Sequence, residues 1–303
     1  SSMFSRLLIA SDITSSTFAV INCISDLKAF GARECLLLGC ITLYPYSHLP
    51  EISVQTLMER SLEEQQELLE KEGFKVSSRC VVGVPENIIN RIAEEEDFSA
   101  IVVGSFTRTW AGEALLGGLA SDIIHTASKP VLLVRLETQK VSGEGERPAS
   151  EVTAVSCDFS NHILFPTDFS QNADYAFSYV KQLVEAGVRK VTLMHVQDKY
   201  RIEPFLLDRL DEFNRIDESR LQQMKGILTS LRDVVVDIRI AYGSPAAEIL
   251  KLIRDTEASL TVMGSQGRGF ARDMFLGNVS HTIARRSPSS VFLIPEPKEH
   301  INV

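Results

Sequence analysis

The chain has no CxxC pair, no long basic run and no apolar stretch long enough to cross a bilayer. Each absence removes a class of function. The five cysteines (Cys23, Cys35, Cys40, Cys80 and Cys157) are scattered, and no histidines cluster with them at ligand spacing, so no metal centre is expected. Most lie within or beside apolar runs, as Cys35 does in Glu34-Cys-Leu-Leu-Leu38, and read as unpaired small hydrophobes of a reducing compartment. A membrane span needs about 18 consecutive apolar residues, and the N-terminus lacks the basic-then-apolar form of a secretory signal. The expected location is the cytoplasm, with no membrane partner. The net charge of −9 argues against a nucleic-acid groove, because duplex affinity rests on Lys and Arg neutralising phosphates. A local basic pocket for one anionic ligand remains open.

What is present is an ordinary globular composition, 44% hydrophobic and 23% charged over 303 residues, enough for two domains. Laying the chain on itself reveals a repeat. Leu7-Leu-Ile-Ala-Ser-Asp12 resembles Ile163-Leu-Phe-Pro-Thr-Asp168 at an offset of 156 residues. Val82-Gly-Val-Pro85 matches Tyr242-Gly-Ser-Pro245, and Val102-Val-Gly-Ser105 matches Val262-Met-Gly-Ser265, both at an offset of 160. Leu116-Gly117 with Leu276-Gly277, and Pro130–Val134 with Ser290–Ile294, keep that offset. Five landmarks in one order make the chain two copies of one domain. The copies are assigned to residues 1–137 and 161–303, joined by a linker over 138–160 that contains Ser142-Gly-Glu-Gly-Glu-Arg-Pro148.

Within the second copy, short apolar runs at 162–166, 191–196, 234–241, 260–263 and 290–294 read as strands. Helical spacing fills 173–185, 206–231, 245–256 and 280–286, the third opened by Pro245. Alternating strands and helices predict an α/β fold of two tandem doubly wound domains, each a parallel sheet flanked by helices. Such sheets bind ligands at the carboxyl ends of their strands.

One such end leads into Gly264-Ser-Gln-Gly267-Arg-Gly269, and nine residues separate Gly267 from Gly277. A loop running from a strand into a helix offers free N–H groups and the positive end of a helix dipole, which suits phosphate. Arg268 and Arg272 add positive charge, while Asn278 and Ser280 add side-chain donors. The alternative is a surface loop whose glycines only make turns. Three better-known motifs are absent: there is no GxxxxGK[ST], no GxGxxG after the first strand, and no protein-kinase set. Asp168 suits either a helix N-cap or a ribose hydroxyl or adenine amine. Val196 and Met263 suit either plain core or the faces of a base. His195 reads as a satisfied strand histidine, since no Ser or Cys partner is visible for it.

Taken in order, Pro166-Thr-Asp-Phe-Ser170, His195-Val196, Gly243-Ser-Pro245 and Gly264-x-x-Gly267-x9-Gly277 resemble the universal stress protein family, over nearly the whole chain except the linker. The resemblance implies five-stranded, Rossmann-like domains of the adenine nucleotide alpha hydrolase type. It also implies ATP or AMP as ligand, with Mg or Mn entering only through the nucleotide phosphates. Carried over by residue, it places Pro166, Thr167 and Asp168 on the adenosine side and Val196 against adenine, with Met263 and Gly264 lining the pocket. Gln266, Gly267, Arg268, Gly277, Asn278, Val279 and Ser280 then surround ribose and phosphates. Asn278 departs from the family pattern, which has Ser or Thr after the last glycine; its amide still donates. The first copy departs further. Thr107 replaces the second glycine, Gly118 replaces the hydroxyl donor, and Gly39-Cys40 stand where the second copy has His195-Val196. Weak or absent nucleotide binding is expected there.

No general base or acidic pair for Mg²⁺ is recognisable, so the expected function is a nucleotide-responsive stress or signalling protein rather than an enzyme. Slow ATP hydrolysis, with Asp273 or His195 as candidates, and a nucleotide-free interaction scaffold are the alternatives. The closing strands Val131–Val134 and Val291–Ile294 are apolar edges that call for cover. Their pairing as an intramolecular pseudo-dimer is expected, and a homodimer of the whole chain is a further option.

Overall fold

The computed structural model describes residues 3–11, 15–42, 51–106, 118–141, 149–265 and 278–297. The chain divides into two units, Ser1–Cys157 and Asp158–Val303. The first unit runs β1 (Arg6–Ser11), α1 (Ser15–Ile24), β2 (Glu34–Ile41), α2 (Glu51–Lys71), β3 (Lys75–Val82), α3 (Pro85–Glu95), β4 (Ala100–Phe106), α4 (Gly118–Thr126) and β5 (Val131–Val141). These strands are parallel, in the order β3-β2-β1-β4-β5. A parallel sheet covered on both faces needs strands that are apolar throughout rather than alternating. Accordingly, Leu7, Leu8 and Ile9 of β1 are fully buried.

The second unit repeats the plan with β7 (Ile163–Pro166), α5 (Gln171–Glu185), β8 (Lys190–Asp198), the short α6 (Lys199–Ile202), α7 (Leu210–Leu231), β9 (Val235–Gly243), α8 (Pro245–Thr256), β10 (Leu260–Gly264), α9 (Asn278–Arg286) and β11 (Ser290–Ile294). All are parallel, in the order β11-β10-β7-β8-β9. The predicted α/β fold of two doubly wound domains is therefore observed. The order reverses at β7, flanked by β10 on one side and β8 on the other, and a crevice opens at the carboxyl ends of such a pair.

The long helix expected from residue 206 begins at Leu210 instead. Leu207–Arg209 form a 3₁₀ turn ahead of it, a tighter winding common at helix N-termini. The acidic Asp211 and Glu212 in the first turn of α7 favour the later start.

Two expectations are corrected. The stretch 138–160 is not simply a tether: β5 continues to Val141, and β6 (Ala149–Ala154) returns antiparallel along it, pairing Leu136 with Ala154 and Val141 with Ala149. Hairpin pairing supplies the backbone hydrogen bonds that a polar composition conceals. Nor are all five cysteines unpaired. The return of the hairpin brings Cys157 to 4.9 Å, Cα to Cα, from Cys23 of α1, and the two form a disulfide. The argument for a reducing compartment from unpaired thiols falls with it. Cys35, Cys40 and Cys80 remain thiols. Burial pushes Cys35 up to about 12 and Cys40 up to about 11, with a nearby Glu34 and, for Cys40, Cys80 and Glu86 adding to the effect. No helix among the described residues is long and apolar enough to cross a membrane.

Candidate functional site

The turn after β7 is braced by its own side chains. Thr167 N–H donates to the Met194 carbonyl of β8 at 2.8 Å. Phe169 N–H donates to Thr167 Oγ1, and Ser170 N–H to Asp168 Oδ1, each at 3.0 Å. Ser170 Oγ then caps α5 by accepting from Ala173 N–H. The N-cap role weighed for Asp168 thus belongs to Ser170, and Asp168 closes the turn one step earlier. Between them Phe169 is held at φ +59°, in the left-handed region that a bulky side chain seldom occupies. Its ring sits 4.6 Å from that of His195, and the Arg220 guanidinium lies 4.9 Å from its centroid.

His195, at the end of β8, donates its Nδ1–H to the Thr167 carbonyl at 2.7 Å. A carbonyl only accepts, which fixes the proton on that nitrogen. The other nitrogen lies 3.4 Å from Asp217 Oδ2 on α7. Asp217 also accepts from Gln197 Nε2 at 3.2 Å, and Arg220 NH1 lies 3.8 Å from its second oxygen. The end of β7 is thereby tied to β8 through His195, and the end of β8 to α7 through Gln197.

These elements enclose a cavity of about 520 Å³ at the carboxyl ends of β7, β8 and β10. That volume lies within the range of small-molecule sites, about 300–1,000 Å³. Eight of the residues singled out from the sequence line it: Pro166, Thr167, Asp168 and Val196 on one side, Met263, Gly264, Val279 and Ser280 on the other. Asn278 opens α9 and is exposed, next to Val279 but not itself a lining residue. Gln266, Gly267, Arg268 and Gly277, together with Asp273, lie outside the described residues.

Two of the lining residues carry duties that sequence alone did not assign. A Cβ on Gly264 would stand 2.6 Å from Asn172 Oδ1, so glycine is required there by the approach of α5. Asn172 is itself buried and donates to the Ile294 carbonyl. The Ser280 hydroxyl gives its single proton to the Gly264 carbonyl at 2.8 Å, so toward a ligand it acts as an acceptor.

Sequence reading missed the wall built by α6 and α7. Ile202 and Leu206 line the cavity, joined by Phe213, Ile216, Asp217 and Arg220. The last four recur three and four apart and so share one helix face. That periodicity was legible, but nothing in it separated a face on a cavity from a face on a core. Among the described residues no group of His, Cys, Asp and Glu is arranged to hold a metal.

In the first unit helix α2 closes over the corresponding end of β2. A Cβ on Gly39, which stands where His195 does, would lie 2.7 Å from Met58 Sδ and 3.3 Å from Leu62 Cδ1, both on α2. The Ser11 hydroxyl donates to Gln65 Oε1 of the same helix at 2.6 Å, both residues buried. A smaller cavity of about 190 Å³ remains at the ends of β1 and β4, lined by Ala10, Val103, Gly104 and Ala120 among others.

Comparison with known proteins follows this division. The model of the universal stress protein family matches residues 3–135 and again 160–295. Universal stress protein MJ0577 of Methanocaldococcus jannaschii is 29% identical over 150 residues, 44% of this chain and 93% of that protein. Universal stress protein Rv2005c of Mycobacterium tuberculosis is 25% identical over 214 residues, 69% of this chain and 65% of that one. Among solved structures, a universal stress protein from Archaeoglobus fulgidus aligns over 97% of both chains with a TM-score of 0.67 at 23% identity, a likeness of fold. With both units matched by the same model, the chain is a tandem member of the universal stress protein family.

Proposed function

We propose that the second unit binds an adenine nucleotide, ATP or AMP, and that the protein responds to nucleotide rather than transforming it. The observation that carries this reading is the convergence on one cavity, of nucleotide-compatible volume, of eight residues that the family resemblance implies for the site. Val196, Met263 and Ile249 supply apolar surface for a base, and Asp168 supplies a carboxylate that accepts from ribose hydroxyls. The phosphates would extend toward the start of α9, whose dipole and free N–H groups favour anions. Mg or Mn would enter with the phosphates.

His195 has its Nδ1–H committed to the Thr167 carbonyl and Nε2 beside Asp217, which suits a positioning role better than proton transfer to a ligand. Calorimetric titration of the full chain with ATP and AMP tests the reading. Binding at micromolar concentrations is expected, with loss in Gly267→Val. No binding, or unchanged affinity in that variant, contradicts it.

A further inference from the structure

Strand β8 ends in His195-Val-Gln-Asp198, and the nucleotide reading leaves Gln197 unused. Gln197 is 3% exposed yet lines the cavity, and its Nε2 donates to Asp217 Oδ2 at 3.2 Å. A carboxylate only accepts, so the nitrogen end of the amide is the one that must face Asp217. The oxygen end is then turned away from α7. Among the described residues nothing donates to it.

The orientation is held from behind. Asp217 is 9% exposed and lies between Gln197, His195 Nε2 and Arg220 NH1, and His195 is in turn anchored on the Thr167 carbonyl. Turning the Gln197 amide over would set its oxygen against a carboxylate oxygen. A hydrogen-bond acceptor fixed in this way at a cavity wall selects for a donor on the ligand, because a ligand lacking one leaves it unsatisfied.

We infer that Gln197 selects the base. Its Oε1 accepts from an exocyclic amine, such as that of adenine, and disfavours a carbonyl oxygen at the same ring position, as in hypoxanthine or guanine. Asp217 is a positioning residue that sets the amide. The inference rests on the adenine-nucleotide reading of this cavity and adds the group that distinguishes adenine from its keto analogues.

AMP and IMP differ at that exocyclic group and at the adjacent N1, which carries a proton only in IMP, so calorimetric titration of the full chain with each is the test. AMP against purine riboside monophosphate, which lacks only the exocyclic amine, isolates the exocyclic group. AMP is expected to bind at least about tenfold more tightly than IMP, the loss that follows from facing two acceptors at a partly buried site. Gln197→Met keeps the side-chain length and removes the acceptor; the AMP-to-IMP ratio should fall to within about threefold. Asp217→Asn, whose amide both donates and accepts, should free the glutamine to turn and lower the ratio with Gln197 still in place. Thermal melts followed by circular dichroism establish that the variants are folded. Equal AMP and IMP affinities in the wild type, or an unchanged ratio in folded Gln197→Met, overturn the assignment while leaving the nucleotide reading intact. Failure of the wild type to bind either nucleotide removes that reading and the assignment with it.

Discussion

At the end of β2 in the first unit, helix α2 drops Met58 and Leu62 onto Gly39. At the end of β8 in the second, His195 and Val196 face a cavity of about 520 Å³. The two units share a strand order and a sequence repeat, so the difference lies in what the helix after the second strand does. In the first unit a glycine lets the helix close down, and a buried Ser11–Gln65 hydrogen bond ties it in place. In the second, His195, anchored on the Thr167 carbonyl, stands at the same place, and Gln197 holds Asp217 of α7. One fold carries a cavity of about 190 Å³ or one of about 520 Å³ according to a few side chains at the strand ends.

The comparison can be broken most forcefully through the disulfide, since all five cysteines lie in residues 1–157 and none in 158–303. Cys23 and Cys157 are separated by 134 residues in sequence, and by the chain-entropy account closing so long a loop contributes about 5 kcal/mol. Reductant, or Cys23→Ser, should accelerate hydrogen exchange in α1 and β6 and leave β7 to β10 unchanged. Peptide mapping without reduction should recover the Cys23–Cys157 link, with Cys35 resisting alkylation until the chain unfolds.

Next in size is Gly264→Val. The new side chain would strike Asn172, whose Oδ1 already lies 2.6 Å from a Cβ built there. Nucleotide affinity should fall at least about a hundredfold, close to 3 kcal/mol, as read by calorimetry. Gly39→His makes the converse exchange in the first unit. It forces a side chain against Met58 and should cost about 1–3 kcal/mol of stability in urea melts, typical of overpacking, without creating a second site.

The smallest effect concerns acid. At the start of the repeat the second unit has His162 where the first has Arg6, by the offset of 156 residues. Burial, reinforced by Lys190, holds His162 below its ordinary value of 6.5. A histidine whose folded pKa is depressed contributes stability above the unfolded pKa, and that contribution is lost as pH falls below about 6.5. Hydrogen exchange at pH 5 against pH 7 should therefore loosen the β7–β8 pairing, where His162 meets Thr192 Oγ1, more than the β1–β2 pairing.

Much of this was legible in the sequence because parallel strands must be apolar throughout and the same landmarks recur twice. Ile163–Pro166, Pro245–Thr256 and Ser290–Ile294 emerge as strand, helix and strand within a residue of expectation. The glycines were harder to interpret. Gly104 and Gly264 are both retained, yet each is crowded by protein, Gly104 by Leu136 and Val20 and Gly264 by Asn172. Their retention follows from packing as much as from any ligand. The disulfide was illegible because it depends on a β5–β6 hairpin hidden in a polar stretch. The α7 wall was illegible because Phe213, Ile216 and Arg220 acquire their role only from where the helix lies.

On the proposed reading one unit accepts nucleotide and the other does not. Native mass spectrometry of the intact chain titrated with ATP or AMP counts the sites directly. One nucleotide per chain is expected, absent from Gly264→Val. Two nucleotides per chain, or one that persists in that variant, would contradict it.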